Sequence, residues 1–186
     1  MFHKFKSVFF AFLILSTLNS ITTAAFASDK TVNPPISNVF TVWRVYNADL
    51  LRLKEDEKLV LAGIDSPEYF LNSKQYRDAS RSKIELKKMR WAGKQAHKFM
   101  KNLVQGKKIT VQNADPSRDS RNRLIGYAYL QDGTFVNAEM IKAGYARVTT
   151  RSGQSEHQTE FLKYQDEARQ NNRGLWAYGI FQKLNT

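Results

Sequence analysis

The stretch Gly63-Ile64-Asp65-Ser66-Pro67-Glu68 places two acidic side chains directly behind an apolar segment. Residues 59–64 read Leu-Val-Leu-Ala-Gly-Ile, and such a short apolar run, bounded by turn residues, is typical of a buried strand. Proline lacks the backbone N–H that a central strand needs, so Pro67 predicts a loop here. We therefore expect Asp65 and Glu68 to lie on a loop at the end of a strand.

The segments on both sides of this stretch predict a small β-barrel with interspersed helices. Upstream, residues 40–53 alternate between apolar and polar side chains and predict two strands, joined by a turn near Asn47-Ala48-Asp49. Short strands mixed with helices, without an internal repeat, favour an α+β domain around a barrel. Downstream, the pattern predicts strands at 109–113, 124–130 and 145–149, helices at 91–105, 138–143 and 155–171, and a turn-rich loop at 115–122.

Several motifs follow one another in the order and spacing of a known family. The stretch 63–68 resembles the family sequence G-I-D-T-P-E, and 45–49 (Val-Tyr-Asn-Ala-Asp) resembles V-x-D-G-D. Further on, 119–127 resembles D-x-x-G-R-x-x-A-Y, and Asn-Arg-Gly-Leu-Trp follows at 172–176. The chain thus resembles the staphylococcal nuclease (thermonuclease) family. The resemblance implies an α+β fold, a five-stranded OB-type barrel with about three α-helices, and a nuclease domain at 39–186.

The resemblance also implies a site and a reaction. Asp49 and Asp65 would ligate one Ca²⁺ ion, and Ser66 would contribute its backbone carbonyl. Glu68 would orient or deprotonate the attacking water, and Arg123 would bind the phosphate and stabilise its developing charge. The implied reaction is endonucleolytic hydrolysis of phosphodiester bonds in DNA, and possibly RNA, with the 5′-oxygen as the leaving group.

The chemistry of these residue types agrees with that reaction. Ca²⁺ binds hard oxygen ligands, which carboxylates, backbone carbonyls and water supply. A carboxylate within reach of a water molecule can act as a general base. A guanidinium aimed at a phosphate donates two parallel charge-assisted hydrogen bonds.

The sequence departs from the family pattern at one important position. Val60 stands where the family's strand carries a second catalytic arginine. Removing one preorganised electrostatic donor typically costs about 10²–10³ in rate. Lys58, Arg52 or an arginine of the basic segment 69–90 could compensate. Asn47 replaces an acidic residue near the metal.

The charge balance favours a polyanionic partner. Lysine and arginine number 29 against 17 acidic residues, giving a net charge of +12, which attracts polyanions over long range. For the basic residues between 81 and 108, phosphate contact and a merely solvated face are equally open. The chain has no cysteine, which excludes disulfides, thiolate catalysis and cysteine zinc sites. The candidates for substrate binding are Lys58, Arg121, Lys87 and Lys88.

The N-terminus predicts export. Two lysines precede a short apolar run, and Ala25-Phe26-Ala27 has the small-x-small pattern of a cleavage site. We expect a signal peptide at 1–27, cleavage after Ala27, and a flexible lead-in at 28–38. The mature protein is then secreted or periplasmic, does not contact the membrane, and is expected to be a monomer.

Two other functions remain open on the sequence alone. One is a non-catalytic nucleic-acid-binding module that kept the barrel and its charge but lost the chemistry. The other is a cationic envelope protein that binds an acidic surface polymer. Metal-dependent cleavage separates a nuclease from both of these alternatives.

Overall fold

The computed structural model describes residues 38–54, 56–149 and 156–184, all within the compact unit Asn33–Thr186. A second unit, Met1–Val32, lies outside the described residues. So do the predicted signal peptide and the predicted lead-in apart from Asn38, and both stay predictions. None of the described helices is long and apolar enough to cross a membrane.

Seven strands and five α-helices make up the described part of the chain. The strands are β1 (Asn38–Asn47), β2 (Leu50–Leu53), β3 (Lys58–Leu61), β4 (Ile64–Asp65), β5 (Lys108–Arg118), β6 (Leu124–Leu130) and β7 (Arg147–Val148). The helices are α1 (Ser73–Ser82), α2 (Leu86–Val104), α3 (Val136–Lys142), α4 (Gln158–Gln170) and α5 (Ile180–Leu184), with a 3₁₀ turn at Gly174–Trp176.

Five of the strands close into a barrel in the order β1-β2-β3-β6-β5. Neighbouring strands run antiparallel except β3 and β6, which are parallel. Every second side chain of a strand points inward, so the apolar alternation seen in the sequence fills the interior. The prediction of a five-stranded OB-type barrel is confirmed. Its buried side chains include Val42, Leu51, Leu53, Leu59, Leu61, Ile109 and Val111.

The helices differ in number and length from the expected three. Helix α1 forms inside the basic segment 69–90, where the Asn72 side chain accepts the backbone N–H of Gln75 and caps its first turn. Helix α2 begins at Leu86 rather than at residue 91. Its buried Met89, Ala92, Ala96, Met100 and Val104 recur every three or four residues, which places them on one face.

The structure corrects one strand prediction and one loop prediction. The segment 59–64 is not one strand, because the backbone turns at Gly63, where φ is 73°. Beyond that turn, β4 leaves the barrel and pairs with β7 in a separate two-stranded sheet. The predicted loop 115–122 is shorter than expected, because β5 continues to Arg118 and pairs with β6 at Leu124.

Candidate active site

A pocket of about 710 Å³ lies where β1, β3 and β4 meet α1 and the turn between β5 and β6. Asp49, Asp65, Glu68, Arg121 and Arg123 all line this pocket, although they come from distant parts of the sequence. The structure thus brings together most of the residues that the sequence predicted for the site.

Three predicted substrate-binding lysines lie elsewhere. Lys58, Lys87 and Lys88 are exposed, and none of them is among the residues that line the pocket. Lys58 is on the outward face of β3, and the other two are in the first turn of α2. These lysines therefore do not belong to the pocket itself.

In each of the two predicted carboxylate ligands, one oxygen is held by hydrogen bonds from the protein. Asp49 Oδ2 accepts the backbone N–H of Ser66 at 3.1 Å. Removal from water raises the pKa of Asp49 to about 6, and the nearby Asp65 and Glu68 carboxylates add to this rise against the opposing Lys74 ammonium. Asp65 Oδ2 accepts two hydrogen bonds from Arg147, at 3.0 and 3.2 Å.

The Lys74 ammonium of α1 lies among the oxygens that a metal would use. Its Nζ donates to the backbone carbonyl of Ser66 at 2.8 Å and lies 3.1 Å from Asp65 Oδ1 and 3.3 Å from Glu68 Oε1. Burial alone lowers the pKa of Lys74, but the surrounding carboxylates outweigh burial and raise it. The ammonium therefore takes the place that a metal cation would take, and its contacts show that these oxygens converge on a positive charge.

The oxygen donors at this position fit a hard cation, but side chains supply only some of them. Within the described ranges, no three acidic or imidazole side chains are grouped closely enough to hold a metal ion. Asp49, Asp65 and the Ser66 carbonyl are nevertheless oxygen donors of the kind that Ca²⁺ takes, and water completes such sites. A Ca²⁺ ion here would depend on backbone and water oxygens as well as on carboxylates.

Glu68 is oriented by two amide side chains. Its Oε2 accepts hydrogen bonds from Asn47 Nδ2 at 2.5 Å and from Asn72 Nδ2 at 2.9 Å. Asn47 Oδ1 in turn accepts the backbone N–H of Tyr69 at 3.1 Å. Both amides bind one oxygen of Glu68, so the other oxygen, Oε1, is the one that faces Lys74.

The backbone of the Glu68 loop is held by helices α1 and α2. Gln75 Nε2, which is buried, donates to the carbonyl of Glu68 at 2.7 Å. Helix α2 passes so close to this loop that a Cβ on Gly93 would lie 1.8 Å from the same carbonyl oxygen. Only glycine permits this approach, which fixes the general-base candidate against a rigid helix.

Arg123 is held by an aspartate of its own turn. Arg123 Nε donates to Asp119 Oδ2 at 2.6 Å, and the backbone N–H groups of Arg121 and Arg123 donate to Oδ1. Burial raises the pKa of Asp119, but these hydrogen bonds outweigh it and leave the pKa below its ordinary value. Asp119 therefore stays charged and orients the guanidinium toward the pocket.

The position of the missing arginine faces the pocket. Val60 is one of the lining residues, so the strand presents an apolar side chain there. Arg52 cannot replace the arginine in this arrangement, because it binds Tyr46 and Asp56 and lies over the Trp43 ring. Arg77 of α1 does line the pocket, and it makes no hydrogen bond or ion pair with any described residue.

The structure places two further residues in the site for which the sequence predicted no specific role. Lys74 lies in the basic segment, and its only local signal is the i,i+4 spacing to Asp78. Arg147 reaches Asp65 because β7 pairs with β4, with Asp65 opposite Arg147. No motif marks either residue, since both contacts depend on tertiary structure.

The closed five-stranded barrel is of the OB type, a fold that binds oligonucleotides among other ligands, and its pocket holds buried carboxylates and a fixed arginine. A family model described as staphylococcal nuclease homologue matches residues 58–178. The chain belongs to this family.

Several relatives carry the name of a nuclease. An "Uncharacterized endonuclease" of Escherichia coli O157:H7 is 33% identical over 141 residues, which cover 73% of this chain and 75% of the relative. "Endonuclease YhcR" of Bacillus subtilis is 28% identical, but the alignment covers 72% of this chain and only 11% of that much longer protein. "Probable staphylococcal-like nuclease CAN1" of Oryza sativa is 35% identical over 49% of this chain and 26% of its own length. These similarities support a nuclease hydrolase in general.

Proposed function

We propose that this protein is an exported endonuclease that hydrolyses phosphodiester bonds of DNA and RNA with the help of one Ca²⁺ ion. The observation that carries the proposal is the convergence of Asp49, Asp65, Glu68 and Arg123 on one pocket. A pocket of about 710 Å³ is large enough for a phosphodiester and its flanking sugars.

Each of these residues has a role that follows from its surroundings. Glu68 Oε2 is held by two amides, so Oε1 is the atom that takes the proton from the attacking water. Arg123, held by Asp119, binds the phosphate and stabilises the charge that develops on it. Asp49, Asp65 and the Ser66 carbonyl would hold Ca²⁺, which neutralises phosphate charge when bound.

Arg77 is our candidate for the second positive group. It lines the pocket, and Val60 leaves the family's usual position without a charge. A guanidinium from a helix can make the same bidentate contact with a phosphate as one from a strand. The expected compensation from the basic segment 69–90 is thus assigned to this residue.

Cleavage of single-stranded DNA by the purified protein tests the proposal. We expect cleavage with Ca²⁺, none with chelator, and none in Glu68→Gln. The released ends should carry 5′-hydroxyl and 3′-phosphate groups, because the 5′-oxygen is the leaving group. Equal cleavage by the wild type and Glu68→Gln would contradict the assignment of Glu68 as the base.

Export and the monomeric state are part of the same proposal and have their own measurements. N-terminal sequencing of the protein recovered outside the cytoplasm should begin at Ser28. Light scattering at micromolar concentration should give the mass of one chain. An intact Met1 on the recovered protein would contradict cleavage after Ala27.

A binding module without activity is the second candidate, because an apolar Val60 faces the pocket. A folded protein that retards DNA in a gel, yet cleaves no more than Glu68→Gln does, would favour this candidate over the nuclease.

A further inference from the structure

The ammonium of Lys74 and a metal ion cannot use the same oxygens at the same time. We propose that Lys74 is a built-in cation that competes with the divalent metal for Asp65 and Ser66, and that Asp78 receives the ammonium when the metal binds. This inference rests on the proposed Ca²⁺ site.

The ammonium of Lys74 contacts two of the oxygens that are proposed to hold the metal. Lys74 Nζ lies 2.8 Å from the Ser66 carbonyl oxygen and 3.1 Å from Asp65 Oδ1. Ca²⁺ binds oxygen at about 2.3–2.6 Å and takes six to eight such ligands. An ammonium in contact with both oxygens fills the space of the ion, so one must leave before the other enters.

The backbone that carries Lys74 is fixed, which leaves only its side chain free to move. Asn72 caps the first turn of α1, and Gln75 binds the Glu68 carbonyl. Ala79 and Ile84 pack in a buried cluster with Met89 and Trp176. A lysine carries its ammonium on a flexible four-carbon stem, so the ammonium can reach a new partner without a movement of the helix.

Asp78 offers the second position for the ammonium. It lies one helical turn after Lys74, and its carboxylate is 3.7 Å from Nζ, farther than the other two carboxylates. Asp78 is buried, and among the described residues Lys74 is the only partner of its carboxylate. A buried carboxylate needs a close partner, and a shift of Nζ toward Asp78 would supply one.

Titration of Ca²⁺ into the full-length protein by calorimetry tests this competition. We expect Lys74→Gln to bind Ca²⁺ about tenfold more tightly than the wild type, a typical size for coupling between two ligands. Asp78→Asn should weaken binding by a similar factor, because the displaced ammonium loses its second position. Lys94→Gln, an exposed charge change on α2, should leave the affinity unchanged.

The double variant separates competition from simple charge effects. If Asp78 acts only as a distant negative charge, Asp78→Asn weakens binding equally with and without Lys74. If it receives the ammonium, Asp78→Asn has no effect in the Lys74→Gln background. Equal weakening in both backgrounds would overturn the inference.

The remaining outcomes also decide. Equal, measurable affinity in the wild type and Lys74→Gln overturns the inference and leaves the proposed Ca²⁺ site standing. Absence of Ca²⁺ binding in every folded variant overturns both the inference and the proposed Ca²⁺ site. In that case, cleavage by the wild type that is lost in Glu68→Gln would still support the nuclease. If Lys74→Gln does not fold, Asp78→Asn decides, since unchanged affinity in that variant contradicts the displacement.

Discussion

At the scale of single residues, Asn47 makes a pair of hydrogen bonds that an acidic residue could not make. Its amide donates to Glu68 and accepts from Tyr69, which requires both an N–H and a carbonyl in one side chain. Asn47→Asp would replace a hydrogen bond with two facing carboxylates. We expect the free energy of unfolding in urea to fall by about 1–3 kcal/mol. The control is Asn113→Asp at an exposed position of β5, and equal stability of both variants would contradict this role.

Arg77 gives a second prediction at this scale. Its guanidinium lines the pocket and has no hydrogen-bond or ion-pair partner among the described residues, so it is available to a phosphate. Arg77→Gln should therefore lower kcat for DNA cleavage by about 10²-fold, the usual effect of losing one electrostatic donor. Arg81→Gln removes the same charge from an exposed position of α1 and should change kcat little. Equal losses in both variants would indicate a general charge effect.

The sequence predicted some site residues and missed others for a physical reason. Asp65 was expected on a loop but is the last residue of β4, and Glu68 follows three positions later in the loop, so their spacing alone brings them to one place. Lys74 and Arg147 contact different oxygens of Asp65, one through the packing of α1 and one through the pairing of β4 with β7. Such contacts are set by tertiary structure, which local pattern does not encode.

At the scale of elements, the contact between α2 and the Glu68 loop depends on one glycine. A Cβ at Gly93 would lie 1.8 Å from the Glu68 carbonyl oxygen, so Gly93→Ala must push the helix and the loop apart. We expect a loss of about 1–3 kcal/mol in unfolding free energy, the usual cost of overpacking. Cleavage should fall as well, because Glu68 moves.

The control for this prediction is Lys94→Ala, on the exposed side of the same helix. It changes the neighbouring position without entering the contact, and alanine is a good helix former, so stability should hold. Full stability and full cleavage in Gly93→Ala would contradict the close approach of helix and loop.

The sequence predicted the barrel strands better than the elements beside them. Strand β6 was expected at 124–130 and is found at Leu124–Leu130, because a strand buried along its length carries a continuous apolar signal. The break after β3 was missed, since Ala62 and Gly63 continue the same apolar run. A turn at Ala62 and Gly63, with a positive φ at Gly63, separates β3 from β4.

At the scale of the whole molecule, the net charge of +12 predicts attraction to polyanions without saying where they bind. Inside the pocket, Lys74 and Arg123 face carboxylates, so part of that charge is locally neutralised. The exposed Lys87 and Lys88 lie outside the pocket on α2. The salt dependence of DNA binding will show whether these lysines contact phosphate or are only solvated.

The last prediction concerns binding of single-stranded DNA by Glu68→Gln, which prevents cleavage. Each phosphate contact contributes about 0.7 to the slope of log affinity against log salt, so removing Lys87 and Lys88 together should lower that slope by about 1.4. The charge-matched control removes the exposed Lys94 and Lys163 instead. A smaller slope only in the first double variant would place phosphate contacts at the start of α2. A slope equal to that of the parent protein in both would mean that Lys87 and Lys88 serve only as a solvated face, and that the phosphate contacts lie elsewhere.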